Sequence, residues 1–131
     1  MGTTQPTGSQ LKDLMNSTDD RPFVMINLLK FKKATDSGEP GKAAYQRYEK
    51  NVFPLLLEAG GRPLWIGAVG EVFIGTPDDA WDQVMLIEYP SRAAFLKMIS
   101  RPEYQKVHHD REIALENSVL LAAGTVMKAG I

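Results

Sequence analysis

The sequence predicts an α+β domain in which a four-stranded antiparallel sheet carries helices on one face. The first observation is the order of its segments, strand, helix, strand, strand, helix, strand, which is the split βαβ arrangement. The second is the set of boundary signals, because proline, glycine and N-cap residues separate the strand-like segments from the helix-like segments. The third is size, since 131 residues with 44% hydrophobic residues suffice for one core.

Charge and composition narrow the classes of function. The 15 basic and 16 acidic residues nearly cancel, so neither nucleic acid nor a membrane surface is an expected partner. The absence of cysteine excludes disulfides, thiolate metal sites and a cysteine nucleophile. No apolar run reaches the roughly 20 residues that span a bilayer. The first residues lack a secretory pattern, so the expected location is cytoplasmic.

The N-terminal part predicts an arm followed by one domain. Residues 1–20 are expected to form a polar arm with a short helix, and residues 21–131 the single domain. Residues 1–8 are typical of a frayed start, and Ser9 is a candidate cap for the short helix.

Both faces of the first predicted strand, Phe23 to Phe31, are mainly apolar, and Asn27 is the exception on its face. A sheet covered on one side only should alternate apolar with polar residues. This strand therefore favours a second cover, such as another subunit.

The remaining elements follow in order. Lys32 to Gly41 is predicted as a mobile flap, and Lys42 to Ala59 as a helix with one apolar stripe that ends at two glycines. Arg62 to Gly75 is predicted as one bent strand in a hairpin with Val84 to Tyr89.

After this hairpin, Ser91 is the expected cap of the next helix. Ser100 to Glu103 reads as a capping box for a further helix that starts at Pro102. The fourth strand is predicted at Val119 to Met127.

From Phe23 to Met127 the chain also resembles a known family. The residues that carry the likeness are the strand VMINLLKF, Tyr45 and Tyr48 before PLL and GG, the WD pair, EYPSRAAF, PEYQ, and Arg111 with ALENS. They resemble the proteins classed as domain of unknown function 1330, within the dimeric α/β barrel superfamily. The resemblance implies a ferredoxin-like protomer whose open sheet face meets a second copy, which makes a homodimer. The wider superfamily includes cofactor-free monooxygenases, lactone isomerases and haem enzymes, but this family has no agreed reaction, so chemistry must be argued from the site.

The candidate site is on the helix that starts at Pro102, where Tyr104, His108 and Arg111 share the apolar face. In the functional interpretation, His108 is an acid or base and Arg111 binds a carboxylate or enolate. Asn27, Tyr48 and Tyr104 then line the pocket and bind the same small-molecule ligand. In the structural interpretation, Arg111 pairs with Glu88 or a backbone carbonyl, His108 lines a helix edge, and the Asn27 amide bonds to neighbouring backbone.

Other chemistries lack a matching pattern. The rings of His108 and His109 point about 100° apart on a helix and cannot share a metal. Asp78, Asp79 and Asp82 lack the calcium-loop spacing, so neither a metal nor a cofactor is expected. No nucleophile elbow, phosphate loop or dinucleotide fingerprint is present.

Two hypotheses of function remain. The first is an enzyme without a cofactor that carries out proton transfer or oxygenation on an anionic or enolisable compound. The alternative is a non-catalytic ligand-binding or structural homodimer.

Overall fold

A computed structural model describes residues 2–128 and has the predicted α+β ferredoxin-like fold. Its strands form one antiparallel sheet in the order β2-β3-β1-β4. The helices are α1 (Gly8–Met15), α2 (Gly41–Glu58), α3 (Arg92–Ser100) and α4 (Pro102–Ala114), and the strands are β1 (Phe23–Phe31), β2 (Arg62–Ala68), β3 (Gln83–Tyr89) and β4 (Leu115–Ala123). Within this described range no helix is both long and apolar enough to cross a membrane.

The core lies between one face of the sheet and the helices. On β1, Phe23, Met25 and Leu29 are buried on this face, whereas Val24, Ile26 and Leu28 on the other face are only half-buried. This alternation follows from the two-residue period of a strand. The helix side of the core is completed by buried residues of α2, α3 and α4, namely Ala44, Tyr45, Tyr48, Val52, Leu55, Leu56, Met98, Tyr104 and Ala114.

Two helix ends match their predicted signals. Helix α2 ends in a Schellman motif, in which the Gly60 N–H donates to Leu57 O (3.0 Å) and the Gly61 N–H to Leu56 O (2.9 Å). Gly60 has φ 79°, a conformation that glycine adopts without a steric penalty. Ser91 caps α3, because its hydroxyl accepts from the Ala94 N–H (3.1 Å).

Two predicted caps are wrong. Ser100 still belongs to α3 and its hydroxyl donates back to Leu96 O (2.7 Å), so it cannot cap α4. The N-cap of α4 is Arg101, which makes no side-chain cap bond. The cap of α1 is Thr7 rather than Ser9, and Thr7 forms a capping box with Gln10.

Two predicted strands have different bounds. β2 ends at Ala68 instead of continuing to Gly75, because its partner β3 begins at Gln83, opposite Ala68. β4 runs from Leu115 to Ala123 rather than from Val119 to Met127. Helix α4 passes into β4 without a loop, and beyond Ala123 the strand β1 offers no further pairing.

The arm is more ordered than a frayed start. The Ser118 N–H donates to Thr3 O (2.8 Å), and the Thr3 N–H donates to Asn117 Oδ1 (2.9 Å), so the chain at Thr3 lies against β4. Residues 1 and 129–131, which belong to the predicted arm and domain, lie outside the described residues.

The sheet face opposite the helices is apolar and has no cover within residues 2–128. It carries the half-buried residues of β1 together with Trp65, which is 55% exposed, and Leu121, which is 50% exposed. An ion pair between Arg62 Nε and Glu88 Oε1 (2.9 Å) lies at one end of it.

Candidate functional site

A cavity of about 920 Å³ lies between the sheet, the helices and the N-terminal arm. All five predicted site residues line it: Asn27 from β1, Tyr48 from α2, and Tyr104, His108 and Arg111 from α4. The three residues of α4 lie one turn apart, so a single helix face presents them. The structure therefore brings the predicted residues together in one place.

Two tyrosine hydroxyl groups form a hydrogen-bonded row that ends at His108. The Tyr48 and Tyr104 hydroxyl oxygens are 3.0 Å apart, and the Tyr104 hydroxyl is 3.3 Å from His108 Nδ1. Burial raises the pKa of both tyrosines. Both phenols therefore stay protonated near neutral pH and can donate hydrogen bonds.

His108 contacts polar groups through both ring nitrogens. Its Nε2 is 2.8 Å from Gln5 Nε2 and 3.1 Å from Glu112 Oε1, and Gln5 Nε2 also donates to Glu112 Oε1 (2.6 Å). The two amide hydrogens of Gln5 satisfy both acceptors when the imidazole proton is on Nδ1, facing Tyr104. Burial lowers the pKa of His108; the Glu112 carboxylate opposes this shift and the Arg111 charge adds to it. The ring is therefore neutral at neutral pH, as a proton acceptor must be.

Arg111 is a buried cation with an incomplete set of partners. Its side chain is 6% exposed, and its Nη1 donates to Thr4 O (2.9 Å). Its Nη2 is buried and has no hydrogen-bond partner within residues 2–128. Of the two partners predicted in the structural interpretation, a backbone carbonyl is therefore present, whereas Glu88 pairs with Arg62 instead. The guanidinium can donate five hydrogen bonds. Among the described residues, its hydrogen-bond acceptor is one neutral carbonyl, that of Thr4.

Asn27 has the contacts of the structural interpretation. Its Nδ2 donates to Met25 O (3.1 Å) and Met85 O (3.4 Å) on the sheet. Its amide nitrogen is thus held by backbone, while the side chain lines the cavity floor.

Sequence reasoning missed the groups that contact His108 and Arg111. Glu112 had a signal, because it lies four residues after His108 on the same helix. Thr4 and Gln5 had none, since they reach α4 from more than 100 residues away. The predicted flap at residues 32–41 does not line the cavity; its Lys32 N–H bonds to Ala114 O (2.9 Å) at the end of α4.

The aspartates after β2 shape the chain locally. Asp79 accepts from the Thr76 N–H (2.8 Å), and Asp82 Oδ2 accepts from the Phe31 N–H (2.8 Å). In the part of the chain that the structure describes, no group of three His, Cys, Asp or Glu side chains is placed to hold a metal ion.

Comparison with known proteins identifies relatives by fold and sequence. A structure of a protein of unknown function from Rhodopseudomonas palustris is 29% identical, has a TM-score of 0.93, and matches over 98% of this chain and 100% of that chain. Two more distant structures share the fold. A dimeric protein of unknown function with a ferredoxin-like fold from Bacteroides fragilis has a TM-score of 0.55 at 12% identity, covering 79% of this chain and 96% of that one. A cofactor-independent oxygenase from Streptomyces nogalater has a TM-score of 0.59 at 11% identity, covering 86% of this chain and 100% of that one.

No curated protein matches the chain. A family match covers residues 40–125, about two thirds of the sequence, under the description Domain of unknown function (DUF1330). The chain therefore belongs to the DUF1330 family.

Proposed function

We propose that the cavity binds a small organic anion, a carboxylate or an enolate, on Arg111, and that His108 transfers a proton on the bound compound. The observation that carries this proposal is the buried Arg111, whose Nη2 has no partner within the described chain. Leaving such a group unpaired costs roughly 1–3 kcal/mol. An anion with two oxygens would remove this cost, because it can accept from both terminal nitrogens at once.

The proposed reaction is proton abstraction next to a carbonyl. His108 takes the proton from the carbon, and the electron pair of the C–H bond forms the enolate. Arg111 and the phenol row of Tyr48 and Tyr104 stabilise the negative oxygen, because their hydrogens stay in place as the charge develops. Return of the proton to carbon or oxygen completes the cycle without a further reactant.

We also propose that the protein is a homodimer assembled through the open sheet face. Support comes from the apolar residues on that face, Trp65 and Leu121 among them, which are half-exposed in a single chain. A dimeric ferredoxin-like protein among the structural neighbours is consistent with this arrangement.

The test is hydrogen exchange of small 2-oxo acids in D2O, followed by NMR, together with calorimetric binding. We expect the parent to catalyse loss of the signal of the protons next to the carbonyl. Arg111→Met should weaken binding at least about tenfold, and His108→Gln should bind normally but exchange at least about 100-fold more slowly. His109→Gln is the matched control, because His109 is an exposed neighbour on the same helix.

Undiminished exchange in His108→Gln would contradict the assignment of the base. Binding without exchange in the parent would select the alternative, a non-catalytic ligand-binding protein. Absence of binding by any acid would refute the proposal as a whole.

A further inference from the structure

The N-terminal arm contacts the two proposed functional groups directly. The Thr4 carbonyl accepts from Arg111 Nη1 (2.9 Å), and the Gln5 side chain lies 2.8 Å from His108 Nε2. Neither contact is part of the sheet or of a helix. The arm therefore occupies the position that a ligand of Arg111 and His108 would have to occupy.

The arm is also the least firmly held wall of the cavity. No residue described between Gly2 and Asp20 is buried, whereas the facing walls on β1, α2 and α4 contain the core. Its polar attachments are to Ser118, Asn117, Glu112 and Arg92 and to the site residues themselves. Segments with few buried contacts open at low free-energy cost.

The charged groups of the cavity specify a single negative charge. Among the described residues that line it, Arg111 is the only Lys or Arg, and Glu112 is the only Asp or Glu. A second negative charge on the ligand would find no second cation among these residues. A dianion such as a dicarboxylate or a phosphate ester is therefore disfavoured.

The opposite end of the cavity is apolar. Phe95, Met98 and Ile99 of α3 line it there, and Leu11 and Leu14 of α1 cover it. Arg111 lies nine residues beyond Pro102, at which α4 leaves α3, and this corresponds to about 14 Å along the helix. The space between the cation and this end suits an apolar group rather than a second polar head.

We infer that the ligand is a monocarboxylate with an apolar tail, and that its carboxylate replaces the Thr4 carbonyl on Arg111 as the arm moves away. This inference rests on the proposed function and specifies its ligand. Loss of the arm contact would also free the lone pair of His108 Nε2 from the Gln5 amide, so that this nitrogen can accept a proton from the bound compound. Binding of the acid and exposure of the base are then one event.

The first part of the test compares acids in the full-length protein by calorimetry. Octanoate and 4-phenylbutyrate are the expected ligands, and they distinguish an alkyl from an aryl tail. Acetate lacks the tail, octanamide lacks the charge, and suberate carries a second charge. All three should bind at least about tenfold more weakly than octanoate. Acetate or suberate binding as tightly as octanoate would overturn the inference but leave the proposed anion site intact.

The second part loosens the arm without changing a cavity residue. A Cβ added at Gly2 would lie 1.7 Å from the backbone oxygen of Glu116, so Gly2→Ala cannot keep the arm in place. A Cβ added at Gly8 meets nothing within 4 Å, which makes Gly8→Ala the matched control. A cover that closes the site in nine molecules of ten raises the apparent Kd about tenfold. Gly2→Ala is therefore expected to tighten octanoate binding by roughly threefold to tenfold, and Gly8→Ala to leave it unchanged.

Unchanged or weaker binding in Gly2→Ala would contradict competition by the arm. A separate measurement follows the arm by fluorescence. The chain has no cysteine, so a thiol-reactive fluorophore on Ser9→Cys labels the arm alone. Octanoate should change its emission and acetate should not. If no acid binds to the parent or to Gly2→Ala, the proposed function itself fails.

Discussion

At the scale of single residues, the candidate site depends on one face of α4, from which Tyr104, His108 and Arg111 reach the cavity. Tyr104, His108 and Arg111 recur at helical spacing, so their common face follows from the 3.6-residue period. Their partners Thr4 and Gln5 come from the far end of the chain, and a backbone carbonyl leaves no mark in a sequence. The pairing of Arg111 with Glu88 was wrong for a related reason, because Glu88 lies on the open sheet face beside Arg62.

The lowered pKa of His108 leads to a prediction about stability and pH. In the unfolded chain a histidine titrates near its ordinary pKa of 6.5, but in the folded protein burial holds the pKa below that value. Between the two pKa values the unfolded chain binds a proton that the folded chain does not. The free energy of unfolding should therefore fall as pH drops below about 6.5. Equilibrium denaturation at a series of pH values measures this slope.

His108→Gln should flatten that part of the pH profile, because it removes the titrating group. His109→Gln should retain the slope of the parent, since the exposed His109 ring lies outside the cavity. A profile of His108→Gln that coincides with the parent at every pH would show that the slope arises elsewhere.

At the scale of elements, strong hydrophobic patterns predicted the correct helices and strands. Weak boundary signals predicted wrong ends for some of these elements. Strand β1 was predicted with its observed bounds because seven of its nine residues are apolar. The start of β4 was missed because three of the four residues from Leu115 to Ser118, LENS, are polar, and no proline or glycine separates this segment from α4. The arm was expected to fray, since its composition is polar, yet its backbone pairs with Ser118. Backbone hydrogen bonding of this kind is independent of side-chain type.

At the scale of the whole molecule, the open sheet face determines the predicted assembly. Leu121 lies opposite Ile26 on that face, whereas Leu57 lies on the outer side of α2, and both are 50% exposed. This makes them a matched pair for testing which surface is the interface. Their equal exposure in one chain means that a difference between them arises from assembly.

Leu121→Glu should convert the expected dimer to monomers, because a buried unpaired carboxylate is costly at an interface. Leu57→Glu should remain dimeric. Sedimentation equilibrium over a range of protomer concentrations measures both. If Leu121→Glu remains dimeric and Leu57→Glu dissociates, the interface is on α2 and not on the open sheet face. A monomeric parent would refute the homodimer.

We propose that Arg111 is buried in order to bind a ligand and not to stabilise the fold. The most direct test is the free energy of unfolding of Arg111→Met beside the parent, at one protomer concentration because the stability of a dimer depends on it. We predict a value within about 1 kcal/mol of the parent or above it, since the guanidinium has a single neutral partner and an unsatisfied Nη2. A loss of about 3–5 kcal/mol would contradict the claim, because it would show that Arg111 holds a buried partner that the fold requires.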